Sequence, residues 1–410
     1  MIYNYFYQAD ARILGDEEDT AMTLQERPSR PVWIAQDSGD FEHFKTLVSQ
    51  RTQPSSVPNA AMVVENVPVY EGAKVDAAVN NPEARKALMA EWAQVFSDGA
   101  GIIVVKQALP DHAVIDEASE VFDRIIELEK EESQGGGDHF AKPGANDRIW
   151  NSLEKHCLTD PANFAAYYSS QTLAMAAEAW LGPAYQMTAQ VNRVNPGGAA
   201  QKPHRDYHLG FMPEARMAQY PSHIHGVSPL LTLQGAVAHC DMPVETGPTL
   251  LLPFSQQFFE GYLAFNRPEY QAYFAENHVQ LPLEKGDAVF FNPAVMHGAG
   301  HNKTTDIKRL VNLLQVSSAF GRAMESVNRT AMSKAVFPAL QQGADMLNIA
   351  NVIAATAEGY PFPTNLDRNP PIGGLAPKTQ AEYLTEAVQD GWDFVKLSEM
   401  LDALEFKNAT

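Results

Sequence analysis

Residues 284–302, EKGDAVFFNPAVMHGAGHN, combine a turn, a short apolar strand and a histidine in one segment. KGD is typical of a turn, and AVFF favours a buried strand. His297 follows that strand, and the glycines on either side of Ala299 allow the backbone to come close to a bound ligand. The segment therefore predicts a strand that leads into a binding site.

Similar short runs surround this segment, rich in β-branched and aromatic residues and separated by Gly, Pro, Asn and Asp. They are YQMTAQVNRV (185–194), LLTLQGAVAHC (230–240), TLLLPF (249–254), HVQLPL (278–283) and RLVNLLQVSSAF (309–320). Several short strands at such spacing predict a sandwich or barrel over about residues 184–320.

The flanking sequence has the apolar spacing of helices. PEARKALMAEWAQVF (82–96), residues 114–131 and residues 161–181 predict helices, and GIIVV (101–105) predicts a strand. Helical patterns return after residue 321. We therefore expect an α+β protein with an irregular N-terminal extension (1–80) packed on the core, a main domain (81–320) and a C-terminal helical extension (321–410).

Composition excludes several classes of function. The formal net charge of -20 argues against a nucleic-acid partner and disfavours docking on anionic membranes. No run reaches the roughly 20 apolar residues of a membrane helix. Two cysteines do not make a disulfide framework, and the N-terminus lacks a secretory pattern, so we predict a cytoplasmic protein.

Two further residues suggest a metal site. In HRD (204–206), strand alternation places His204 and Asp206 on one face, and His297 can supply a third ligand. Two histidines and one carboxylate leave open coordination positions, an arrangement typical of non-haem Fe(II) oxygen chemistry. Arg309, twelve residues after His297, offers a planar donor for the carboxylate of a keto acid.

Two other functions fit parts of this pattern. A zinc hydrolase can also use two histidines and a carboxylate, but it leaves Arg309 unexplained. A non-enzymatic barrel that binds a metal or metabolite has no need of open coordination positions.

The chain resembles the phytanoyl-CoA dioxygenase-like branch of Fe(II)/2-oxoglutarate-dependent oxygenases over about residues 85–320. The resemblance rests on Arg309 and on HRD (204–206), DMPVETGPTLLLPFSQ (241–256), LEKGDAVFFNPAVMHGAGHN (283–302) and SDGAGIIVVKQAL (97–109). It implies a double-stranded β-helix, also called a jelly-roll or cupin-like barrel. It also implies Fe(II), 2-oxoglutarate and O2, with His204, Asp206 and His297 as catalytic iron ligands and Arg309 binding 2-oxoglutarate.

The implied reaction is hydroxylation, or another oxidation, of a C–H bond in a small metabolite, with release of succinate and CO2. Asp206 favours this reaction over halogenation, because related halogenases carry a small residue in place of the carboxylate. Ala299 stands where the family often has Ser or Thr, so we predict secondary 2-oxoglutarate contacts from Gln190, Asn192 or Thr232.

The substrate is harder to predict. The candidate substrate contacts are Lys142, Arg148, Arg193, Tyr207 and His208. The three basic residues Lys142, Arg148 and Arg193 would bind an anionic group of the substrate. The glycine-rich residues 132–148 are a candidate lid. The C-terminal extension is expected to cover the barrel mouth or to form a homodimer contact.

Overall fold

The structure is a computed structural model that describes residues 31–132, 144–206, 212–343 and 345–409. The strands are β1 (Met62–Val64), β2 (Val67–Glu71), β3 (Ile102–Lys106), β4 (Asn146–Ile149), β5 (Gln186–Val194), β6 (Thr232–Ala238), β7 (Leu250–Leu252), β8 (Ala288–Phe291), β9 (Met296–Gly298) and β10 (Arg309–Ser317).

The α-helices within these residues lie mostly before and after the β-rich centre. They are α1 (Phe41–Val48), α2 (Gly72–Val79), α3 (Pro82–Ser97), α4 (His112–Glu132), α5 (Ser152–Thr159), α6 (Pro161–Tyr168), α7 (Gln171–Leu181), α8 (Glu214–Met217), α9 (Ser222–Val227), α10 (Gly261–Ala264), α11 (Pro268–Asn277), α12 (Arg329–Gln342), α13 (Ile349–Thr356), α14 (Gln380–Gln389) and α15 (Phe394–Asn408). Short 3₁₀ turns cover Pro54–Ser56, Ser228–Leu230, Val244–Thr246, Ser255–Gln257 and Ile372–Gly374.

The larger sheet has the strand order β1-β2-β3-β8-β6-β10-β5-β4. Its centre, β5-β10-β6-β8, is antiparallel throughout. A smaller sheet pairs β7 with β9, and single bridges extend it from His297 to His204 and from Leu251 to Val279.

The chain passes repeatedly between these two sheets. It runs from β5 to the His204 bridge, returns to β6, crosses to β7 and the Val279 bridge, then visits β8, β9 and β10 in turn. Two facing four-stranded layers connected in this alternating manner form a double-stranded β-helix. The predicted fold class is therefore confirmed.

The described part of the predicted N-terminal extension contributes to the main sheet. β2 pairs in parallel with β3, and β3 pairs with β8. Trp92 of α3 is completely buried beneath this region, and Tyr70 donates a hydrogen bond to Glu91 Oε1 at 2.9 Å. The division of the chain into three parts remains a prediction.

Helices cover one face of the large sheet with a continuous apolar core. This core joins β10 to α4, α6 and the C-terminal helices through Leu314, Phe122, Phe164, Phe337 and Leu397. None of the helices in the described ranges is long and apolar enough to cross a membrane.

Two expectations about local structure need correction. The helix predicted over residues 161–181 is two helices, α6 and α7. The Ser170 side chain accepts a hydrogen bond from the Leu173 amide and so caps the N-terminus of α7. The loop predicted over residues 132–148 ends in strand β4, which pairs with β5. Residues 133–143 of the predicted lid lie outside the described residues.

Candidate metal centre

His204, Asp206 and His297 converge between the two sheets. One potential ligand atom from each lies within 4.8 Å of the others. His204 Nε2 is 3.6 Å from Asp206 Oδ1, and His297 Nε2 is 3.8 Å from Asp206 Oδ2. Backbone hydrogen bonds of 2.8 and 2.9 Å between His204 and His297 fix the two histidines side by side. The small sheet thus brings together residues that are far apart in sequence.

Each imidazole is oriented by a backbone carbonyl. His204 Nδ1 lies 2.9 Å from Lys202 O, and His297 Nδ1 lies 2.9 Å from Val295 O. A carbonyl only accepts, so the proton occupies Nδ1 in both rings and the Nε2 lone pairs are available to a metal. Burial, and then the neighbouring His204, lower the pKa of His297 to about 4, which keeps this ring neutral at pH 7.

The Asp206 carboxylate is held by a residue from β6. Gln234 Nε2 donates a hydrogen bond to Asp206 Oδ2 and also lies 3.4 Å from Gln315 Oε1 on β10. The side chain of Gln234 is buried, and the two acceptors fix which way its amide points. Sequence reasoning did not identify Gln234 as a site residue.

Arg205, between two cluster residues, faces away from the metal cluster and anchors their segment. Its guanidinium donates to Phe258 O at 2.9 Å and to Ser255 O, and lies 5.4 Å from the ring centre of Tyr262. Gly261 admits this group, because a Cβ at that position would overlap the guanidinium. Burial lowers the pKa of Arg205 to about 10, so the group stays charged at pH 7.

Arg309 lies at the first residue of β10 and lines the same cavity as the cluster. It is only 3% exposed, and Nη1 donates to Thr246 O at 3.2 Å. Burial lowers its pKa to about 10, which still leaves a cation at neutral pH. Within the described ranges no carboxylate forms an ion pair with it. A buried cation of this kind is suited to an anionic ligand.

The donor set and the cavity fit a ferrous ion. Two neutral imidazoles and a carboxylate on one side of the ion match the set typical of non-haem iron oxygenases, which leaves positions free for other ligands. The cavity has a volume of about 1240 Å³ and reaches from the cluster to Arg309. The space accommodates a chelating cosubstrate and a further molecule.

Some of the other predicted site residues reach this cavity. Gln190, Asn192 and Arg148 line it, and Arg148 Nη1 donates to Gln190 Oε1 at 2.9 Å. Thr232 is buried at the start of β6, where its carbonyl accepts from Trp180 Nε1 at 3.1 Å, and it is not part of the cavity wall.

Arg193 is not among the residues that line the cavity. It neighbours Asn192 on β5 and therefore points to the opposite face of the sheet. There its guanidinium forms ion pairs with Asp147 at 2.9 Å and with Asp123, which does not support a role in binding substrate. Lys142, Tyr207 and His208 lie outside the described residues.

A double-stranded β-helix with two histidines and an aspartate between its sheets is the arrangement of a non-haem iron oxygenase. Comparison with protein families gives the same class. The sequence model of the family described as phytanoyl-CoA dioxygenase (PhyH) matches residues 76–310, and the chain belongs to this family. It is therefore an enzyme that uses iron and 2-oxoglutarate.

Other comparisons are weaker. No curated protein matches the sequence. Solved structures that are similar include the epimerase SnoN from nogalamycin biosynthesis in complex with Fe3+, alpha ketoglutarate and nogalamycin RO, at 21% identity and a TM-score of 0.41, covering 60% of this chain and 88% of that one. The carbocyclase SnoK from nogalamycin biosynthesis is 17% identical with a TM-score of 0.40, over 55% and 83% of the two chains. AviO1 from Streptomyces viridochromogenes Tue57 is 16% identical with a TM-score of 0.40, over 58% and 96%.

Proposed function

We propose that this protein hydroxylates, or otherwise oxidises, a C–H bond of a small-molecule substrate, with release of succinate and CO2. His204, Asp206 and His297 hold the ferrous ion, and Arg309 binds the distal carboxylate of 2-oxoglutarate. The observation that carries the proposal is the presence of the three-residue cluster and a buried arginine in one cavity.

The bound iron and 2-oxoglutarate supply the activation of O2 and the oxidising power for the C–H bond. The protein's own residues arrange these groups. The Nδ1 hydrogen bonds leave both Nε2 lone pairs available, so the two imidazoles would hold the ion through Nε2. The hydrogen bond from Gln234 fixes the orientation of the Asp206 carboxylate, which would supply the third ligand.

Arg309 gives the cosubstrate a fixed direction. A guanidinium binds a carboxylate through two parallel hydrogen bonds, which orients the diacid as well as holding it. Apolar side chains in the cavity wall, among them Leu251, Leu281 and Val311, limit access of water to the site. Exclusion of water strengthens the electrostatic contacts within it.

Other residues belong to the same proposal. Gln190 and Asn192 are candidate outer contacts of the cosubstrate, because both line the cavity. Asp206 supports oxidation by hydroxyl transfer rather than halogenation, since the carboxylate occupies the position that a halide would need. A cytoplasmic location and a homodimer remain predictions from the sequence.

The role of Arg309 can be tested by binding of 2-oxoglutarate to the Fe(II) protein without oxygen. Arg309→Met should weaken 2-oxoglutarate binding at least about 30-fold, because one partner of a buried ion pair is removed. Iron affinity should stay unchanged. The control is Arg322→Met, at an exposed arginine. Equal affinity for 2-oxoglutarate in Arg309→Met and the wild type would refute the assignment.

The reaction itself can be tested by succinate release. A set of small molecules added to the Fe(II) protein with 2-oxoglutarate and O2 should contain members that raise succinate formation above the uncoupled rate. The His204→Ala variant should show no such increase.

A further inference from the structure

The turn between β6 and β7 lies between Arg309 and the chain segment of a metal-cluster histidine. Its 3₁₀ part, Val244–Thr246, is followed by Gly247, which has a positive φ of 74°. On one side of the turn, the Thr246 carbonyl accepts the hydrogen bond from Arg309 Nη1 at 3.2 Å. On its other side, the turn packs on the backbone that follows His297. The turn therefore contacts the segments that would bind both ends of the cosubstrate.

Two glycines make the backbone contact on the side of His297. A Cβ added to Gly247 would lie 2.5 Å from the carbonyl carbon of Gly300 and from His301 O. A Cβ added to Gly300 would lie 2.7 Å from Pro248 O, whereas an ordinary contact needs at least 3.4 Å. These obstacles are backbone atoms, which cannot move aside as the end of a flexible side chain does. The two segments approach this closely because neither glycine carries a Cβ.

Further hydrogen bonds hold the two segments together around the glycine contact. The Lys303 amide donates to Glu245 O at 2.8 Å, and Gln280 Nε2 donates to Pro248 O at 2.7 Å. Both glycines of the contact are buried. The segments cannot separate without loss of these bonds, so the turn has a fixed position relative to the strand of His297.

This position fixes the span between the metal cluster and the Arg309 guanidinium. His297 lies in β9, shortly before Gly300, and Thr246 O is the hydrogen-bond acceptor of Arg309 among the residues that the structure describes. A 2-oxo diacid that chelates the iron through its 1-carboxylate and 2-oxo group must place its distal carboxylate at the guanidinium. A guanidinium binds a carboxylate in a defined, two-pronged geometry, so the carbon chain of the diacid must match the span.

We propose that the contact between Gly247 and Gly300 sets the length of the 2-oxo diacid that the site accepts. The two glycines are then positioning residues for Arg309. The inference rests on the proposed function, in which Arg309 binds the distal carboxylate of 2-oxoglutarate. A methyl group at either glycine forces the turn away from the strand of His297, and the Thr246 carbonyl takes the guanidinium with it. The lengthened site should favour a diacid with one more methylene.

Two diacids that differ by one methylene test the proposal without turnover. The full-length Fe(II) protein is titrated in the absence of oxygen with 2-oxoglutarate and with 2-oxoadipate, the longer of the two. The wild type should bind 2-oxoglutarate at least about tenfold more tightly, because one methylene in a fitted site has an effect of about this size. Equal affinity of the wild type for the two diacids would overturn the proposal. This comparison needs no variant and so does not depend on how an added methyl group affects folding.

Two variants enter the contact from its opposite sides. Gly247→Ala and Gly300→Ala should each reduce the preference for 2-oxoglutarate over 2-oxoadipate by about fivefold or more. The control is Gly182→Ala, at a glycine with a similar φ of 75° whose added Cβ meets no atom within 4 Å. It introduces the same backbone strain without the contact and should keep the wild-type preference. An unchanged or increased preference in either contact variant that still binds Fe(II) would overturn the proposal, since a general loss of stability does not change a ratio of affinities.

Failure of this inference and failure of the proposed function give different results. A wild-type Fe(II) protein that does not bind 2-oxoglutarate would contradict the proposed function. A wild type that binds 2-oxoglutarate, and loses this binding in Arg309→Met, but does not discriminate between the two diacids would contradict the role of the glycines alone.

Discussion

Gln234 donates a hydrogen bond from its side-chain amide to Oδ2 of Asp206, the carboxylate of the metal cluster. Gln234 lies on β6 in the large sheet, whereas Asp206 follows the His204 bridge in the small sheet. The contact therefore joins the two layers of the barrel at the metal centre. It also fixes the orientation of the carboxylate that would bind the ion.

The first prediction concerns this contact. Gln234→Leu should lower the affinity of the protein for Mn²⁺ or Fe²⁺ by about 10- to 100-fold, as expected when a partner that orients a metal ligand is lost. The affinity is measured by anaerobic titration. Gln342→Leu, at an exposed glutamine near the end of α12, is the control and should bind as the wild type does. Wild-type affinity in Gln234→Leu would show that Asp206 needs no orienting partner.

The second prediction concerns Gly261. A methyl group there overlaps the Arg205 guanidinium, which is buried and held by two carbonyls and cannot move aside without losing them. Gly261→Ala should cost about 1–3 kcal/mol in the free energy of unfolding, as overpacking does, and should also weaken metal binding. Denaturant unfolding and metal titration measure the two effects.

A double-mutant cycle separates this clash from other effects of the alanine. In the Arg205→Met background, Gly261→Ala should cost less than in the wild type, because contacting residues are not additive. Strict additivity would contradict the clash. Gly226→Ala, whose added Cβ meets only the Phe259 ring at 3.3 Å, is the control.

The third prediction concerns acid stability. Burial lowers the pKa of His239 to about 3 and that of His156 to about 4. His239 lies 2.9 Å from the hydroxyls of Ser119 and Tyr167, and Lys285 and Asp116 are the other charged groups that act on it. Both histidines are neutral in the folded protein across the pH range in which an unfolded histidine takes up a proton.

The direction of the pH effect on stability follows from this difference. The two histidines contribute fully to the free energy of unfolding above pH about 6.5, the pKa of an unfolded histidine. This contribution is lost as the pH falls toward 4, because only the unfolded chain binds protons in that range. Each histidine contributes a slope of about 1.4 kcal/mol per pH unit in that window. His239→Asn should therefore flatten the pH dependence of the free energy of unfolding between pH 6.5 and 5, measured with urea on the metal-free protein. The exposed His43→Asn is the control, and an unchanged slope in His239→Asn would contradict the account.

Much of the fold could be predicted from the sequence because strand patterns are local. AVFF became β8, the last four residues of GIIVV lie within β3, and the helix predicted over 82–96 is α3, since each carries its own apolar pattern and turn residues. The cluster of His204, Asp206 and His297 was also predictable. Histidine and aspartate at strand ends are residue types that bind metals, and the resemblance to a known family indicated that the three lie together.

Other features depend on contacts that no local pattern encodes. Gln234 is one polar residue in the apolar run LLTLQGAVAHC, and nothing in that run indicates a carboxylate opposite it. The separation of Arg193 from Asn192 could have been predicted, because alternation along β5 places neighbouring residues on opposite faces of the sheet. The hydrogen bonds that link Lys202 to Asn266 and Asn266 to Glu214 in the cavity wall join distant segments, and only the folded chain brings them together.

The most direct test of the central claim is the visible spectrum of the protein with Fe(II) and 2-oxoglutarate in the absence of oxygen. The account predicts a weak charge-transfer band in the wild type, because 2-oxoglutarate chelates the iron, and no band in His204→Ala. A wild-type protein that binds Zn²⁺ tightly but forms no such band, or a band that persists unchanged in His204→Ala, would contradict it.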